Sequence, residues 1–113
     1  MGEIQTAIDA TSAGNVVVVA GQAGGAAYSA ALMMKPGVWV IGVDDGDGFP
    51  ILNAGSDTVA VSFPSDATTS TTIENFTIRG GTDAVVLLRG QGRLRNCTLD
   101  GRSTDPDYGI LAD

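Results

Sequence analysis

The sequence predicts an all-β chain: a right-handed parallel β-helix, or β-solenoid, of about four coils behind a short N-terminal capping helix, in one domain over residues 1–113. Three observations carry this expectation. The run Ile73-Glu74-Asn75-Phe76-Thr77-Ile78-Arg79-Gly80 returns as Leu94-Arg95-Asn96-Cys97-Thr98-Leu99-Asp100-Gly101 at a constant offset of 21, with Asn, Thr and Gly identical and the aliphatics matched in kind. A period of that size built only of strand and turn suits one coil of a solenoid and is too short for a propeller blade. Third, 43% of residues are hydrophobic but only 5% aromatic, and glycines number 16 against 4 prolines. Small aliphatic side chains then fill a narrow core, and the glycines read as turn residues.

The elements follow in order. Ile4, Ala7, Ile8 and Thr11 recur at helical spacing, and Gly14 with Asn15 supplies a stop, so residues 3–13 are expected to form the capping helix. After it come short β-branched strands separated by Gly, Asn, Asp and Ser clusters, with no second helical period. Val16-Val17-Val18-Val19-Ala20-Gly21 lies 22 residues before Val38-Trp39-Val40-Ile41-Gly42-Val43, an expected pairing of the first two coils. Further strands recur at Thr58-Val59-Ala60-Val61, Asp83-Ala84-Val85-Val86 and Tyr108-Gly109-Ile110-Leu111. The coils are placed near residues 15–37, 38–72, 73–93 and 94–113. A hairpin sandwich is the rival, but hairpins alternate direction and give no reason for like residues at a fixed offset. Parallel stacking sets each position above its predecessor at roughly 4.8 Å. Ile73, Phe76, Ile78, Leu94, Cys97 and Leu99 are therefore expected to point inward as like on like.

The stretch Ala13-Gly14-Asn15-Val16-Val17-Val18-Val19, the stretch Lys35-Pro36-Gly37-Val38-Trp39-Val40-Ile41-Gly42 and the two Asn-x-Thr-aliphatic-x-Gly rungs resemble the opening coils of the pectin-lyase-like right-handed β-helix superfamily. The resemblance spans nearly the whole chain. It implies a fold more than an activity, since that superfamily holds lyases, hydrolases, esterases, tailspikes, adhesins and proteins without catalysis. Its polygalacturonases pair several aspartates with a Gly-His-Gly and an Arg-x-Lys. This chain has no histidine and a single lysine, Lys35, outside any such motif. Its calcium-dependent lyases set an arginine base above a carboxylate-bound metal, for which Arg79 with Asp100 and Asp83 is only a distant match. The expectation therefore leans away from catalysis.

Several residues remain as candidates for a site. Asn75 and Asn96 each open an Asn-x-Thr sequon, yet their common register points to a sharp turn that Asn tolerates in left-handed geometry. The resemblance implies that their amides stack as a ladder between coils. Glu74 should lie over Arg95, and Arg79 over Asp100, as opposite charges that pin the coil register. Asp44, Asp45 and Asp47 form the densest carboxylate cluster and are the weak candidates for a calcium ion. Cys97 aligns with Phe76 and reads as a small core side chain. Tyr108, Ile110 and Leu111 belong to a last coil with nothing to cover it, and an uncovered coil is a template for more pairing.

Charge limits the partners. The net charge is −7, so neither nucleic acid nor an anionic membrane surface is expected to bind, and no apolar run is long enough to span a bilayer. Residues 1–72 hold seven acids against one base, whereas residues 73–113 hold six acids against five arginines. The functional expectation is a non-enzymatic structural subunit that self-associates through its open end, as a dimer or head-to-tail as a fibre. Its alternative is the first coils of a longer secreted protein that binds or processes polysaccharide. Either implies an extracellular or cell-surface setting.

Overall fold

The computed structural model describes residues 3–101 and 108–112. It is a parallel β-solenoid of about four turns with one short helix. The helix, α1, spans Glu3–Ala10, and the first turn carries β1 (Val16–Ala20) and β2 (Leu32–Met33). The second turn carries β3 (Trp39–Val43), β4 (Ile51–Asn53) and β5 (Val59–Ser62). β6 (Thr72–Glu74), β7 (Thr77–Arg79) and β8 (Ala84–Leu88) make the third, and β9 (Arg93–Arg95), β10 (Thr98–Asp100) and β11 (Tyr108–Ala112) the fourth. The strands stack into three parallel sheets in the orders β1-β3-β6-β9, β4-β7-β10 and β2-β5-β8-β11.

Like stacks on like because strand side chains alternate between the two faces of a sheet. Each sheet sends one column of aliphatics into the core. The first is Val17, Val40, Ile73 and Leu94, the second Leu52, Ile78 and Leu99, and the third Leu32, Val61, Val86 and Ile110. Phe63 and Phe76 are buried in the same core. The pairing of Thr72, Ile73 and Glu74 with Arg93, Leu94 and Arg95, and of Thr77, Ile78 and Arg79 with Thr98, Leu99 and Asp100, has the 21-residue offset of the repeat.

Three expectations change in detail. The first two coils pair at an offset of 23, Val16 with Trp39, not at 22. A one-residue slip exchanges the faces of a strand, and only the observed register sets buried Val17 on buried Val40. The helix ends at Ala10, before residue 13, because the Thr11 hydroxyl folds back on the Ala7 carbonyl (2.6 Å) and a turn bonds Asn15 N–H to Ser12 O. Strands β2 and β4 were not anticipated; both are too short to show an alternation.

Candidate functional site

The fourth turn is the last of the described turns. β9, β10 and β11 are the terminal strands of their three sheets among the described residues. One turn earlier, Ile73, Ile78 and Val86 are each 0% exposed. Their successors in the same columns differ: Leu94 and Leu99 are half-buried and Ile110 is 47% exposed. All three core columns thus end in apolar surface at one face of the molecule. Leu111 beside them is half-buried. Tyr108 belongs to β11 and pairs with Ala84, but its side chain lies outside the described residues.

Cys97 sits among these groups, packed against the core next to Leu94 and Leu99. Its thiol donates weakly to the carbonyls of Ile73 (3.5 Å) and Arg95 (3.4 Å). Burial pushes its pKa up, because desolvation disfavours the thiolate, and contacts with backbone groups only partly offset this. A thiol held protonated is a poor nucleophile and a poor metal ligand.

The opposite end carries α1. α1 lies over β1 and β2 and plugs the core with Ile4 and Ile8, both buried. The Gln5 carboxamide accepts from Met33 N–H (2.8 Å) and donates to Met33 C=O (3.0 Å), so it occupies the free edge of β2 as a neighbouring strand would. The Tyr28 hydroxyl takes the Ala20 carbonyl at the end of β1 (2.7 Å), and Lys35 Nζ caps Asp9 O on the helix (3.0 Å).

On the flank of the last two turns, Asn75 and Asn96 both adopt left-handed φ values, 62° and 51°. Each joins two strands at a bend between sheets. The Asn75 amide donates to Gly42 O on the turn below (3.2 Å), and Gly42 is needed because a Cβ there would meet Asn75 O at 2.3 Å. No amide-to-amide bond joins the two asparagines among the described residues. Arg79 Nε lies 3.5 Å from Asp100 Oδ2. Glu74 and Arg95 are register partners, but no ion pair joins them: Glu74 Oε1 accepts instead from Trp39 Nε1 (3.1 Å), and the Arg95 guanidinium lies 5.8 Å from the centroid of the Trp39 ring. The sequence reading missed Trp39. Once the offset of 23 is known, its place two residues back from the partner of Glu74 gives the signal.

The carboxylate loop is a turn. Asp44 Oδ1 accepts from Gly46 N–H (3.0 Å) and Gly48 N–H (2.9 Å), which spends its lone pairs locally. Among the described residues no three acids or cysteines, with Asp45 and Asp47 included, gather closely enough to hold a metal ion. Asp83 bonds through its backbone N–H to Thr58 O. Exposed Phe49 lines a shallow groove of about 210 Å³ with Asn75, Thr77, Asn96 and Thr98. No described helix is long and apolar enough to cross a membrane. No family model, curated protein or solved structure matches the chain.

Proposed function

We propose that this chain is a structural β-solenoid unit that self-associates through its fourth turn. The observation behind this reading is the break in burial between Ile73, Ile78 and Val86, fully enclosed, and Leu94, Leu99 and Ile110, which are not. Three adjacent apolar column ends on the strands that are last in their sheets among the described residues suit strand addition, which exposed hydrophobic surface at a sheet margin drives. The partner is a second copy of the chain. Light scattering over a range of concentration should show association, and Ile110→Lys should weaken it by at least tenfold while leaving the melting transition largely in place, because the first three turns keep their own core. A wild-type chain that stays monomeric at high concentration, with Ile110→Lys indistinguishable from it, sinks this reading.

A second reading rests on the groove at Phe49. An exposed aromatic face beside the amide and hydroxyl groups of Asn96, Thr77 and Thr98 is a surface suited to a sugar ring, in keeping with the pectin-lyase-like resemblance and an extracellular polysaccharide partner. Titration with neutral and acidic oligosaccharides tests it: binding should be lost in Phe49→Ala, and no heat or shift from any of them removes it.

A further inference from the structure

We infer that Met33 is a peroxide-reactive site on the outer face of the solenoid, a thioether that takes up an oxygen atom while the fold stays in place. Met33 and Met34 are neighbours in sequence with opposite surroundings. Met33 is 63% exposed, whereas Met34 is 2% exposed and belongs to the core. Strand alternation sends Leu32 inward and Met33 outward. The exposure of Met33 is lateral. Strand side chains stand perpendicular to a sheet while strands add within its plane, so a strand beside β2 would meet its backbone edge and leave this side chain facing outward. Met33 also borders a groove of about 440 Å³, shared with Gln5, Asp9, Val59 and Ser62, through which a molecule as small as a peroxide can approach.

The step is an oxygen transfer from hydrogen peroxide or an alkyl hydroperoxide. A lone pair on Met33 Sδ attacks one peroxide oxygen, so that an S–O bond forms as the O–O bond breaks. The departing oxygen takes up a proton and leaves as water or an alcohol; the sulfide loses two electrons and the peroxide gains them. The other described sulfurs are worse placed. Met34 is enclosed, and Cys97 is half-buried with its thiol held protonated, whereas a peroxide attacks the thiolate. A sulfoxide disrupts a protein when it forms in a core, but at Met33 the new polar group faces water. Nor does β2 depend on this side chain, since the Gln5 carboxamide holds the Met33 N–H (2.8 Å) and C=O (3.0 Å). What changes is the groove, where an exposed apolar group becomes polar.

The full chain is treated with hydrogen peroxide at neutral pH, in buffer and in concentrated urea, and Met33 and Met34 are followed separately by peptide mapping with tandem mass spectrometry. In buffer the Met33 sulfoxide should form at least about tenfold faster than the Met34 sulfoxide, and in urea the two rates should converge. Met33→Leu should remove the fast phase. Protein oxidised at Met33 alone should keep its circular dichroism and a melting temperature within about 2 °C of the untreated chain. Equal rates in buffer while the chain stays folded, Met34 reacting first, or a preference for Met33 that persists undiminished in urea would each overturn the assignment. A melting temperature that falls clearly on oxidation of Met33 alone would overturn it too, because the sulfoxide would then be disturbing the fold and not only its surface.

Discussion

At the scale of single residues, two side chains turn local chemistry into measurable behaviour. Asn75 holds a left-handed backbone and spends its amide on Gly42 O, so Asn75→Ala loses both the tolerated conformation and a hydrogen bond. The expected cost is about 1–2 kcal/mol, read as a lower denaturant midpoint at unchanged slope. Asn75→Gly keeps the conformation and should recover part of that loss; equal damage from both variants would remove the backbone argument. Cys97 makes a pH prediction. Its pKa is raised in the folded chain, so the folded state holds the thiol proton more tightly than the unfolded state does. The resulting stability is fully present below the unfolded thiol pKa and is lost as pH rises through the folded one. Alkaline pH should therefore erode the melting temperature of the native chain more than that of Cys97→Ser. The Asn turns and the inward place of Cys97 were both legible from the repeat, since residue type and register suffice for them.

At the scale of elements, legibility followed loop length. The third and fourth turns have the same spacing, so the offset of 21 appears directly in the letters. From Trp39 to Thr72 the spacing grows to 33, because the loop from 44 to 50 and the segment from 63 to 71 intervene, and the repeat vanishes from view. β2 and β4 have two and three residues, too few for any period to be read. Long-range side-chain choices were also hidden: opposite charge suggested Glu74 with Arg95, while the structure ties both to Trp39. Three successive turns are thereby pinned on the outer face of one sheet. A double-mutant cycle on Trp39→Phe and Glu74→Gln should give a favourable coupling of about 0.5–1.5 kcal/mol, and Arg95→Gln should weaken the fold by about 0.5–1 kcal/mol through the ring contact. No coupling in the first cycle would mean that the indole bond is not formed in solution.

At the scale of the whole molecule, the two ends differ more than their sequences suggest. Apolar letters alone could not show that Ile4 and Ile8 are buried while Leu94, Leu99 and Ile110 keep part of their surface exposed, because exposure depends on what stacks above a residue and not on its type. Each turn touches chiefly the turns beside it, so opening should begin at the fourth turn and move toward α1. Hydrogen exchange read by mass spectrometry should find the amides of β9 and β10 least protected and those of β3 and β6 most protected; uniform protection would argue for one all-or-none unit. The position of α1 bears on how the chain is made. Synthesis delivers α1 and β1 before β11, so the order of emergence from a ribosome matches the order of stacking. A lone first turn has little to bury its valines against, whereas one with Ile4 and Ile8 laid across it already has the beginning of a core. Each later turn then needs to close a loop of only a few tens of residues onto an edge that is already waiting, a modest and recurring entropic cost. In that sense α1 is a primer for the coils that follow it, as a short duplex primes a polymerase.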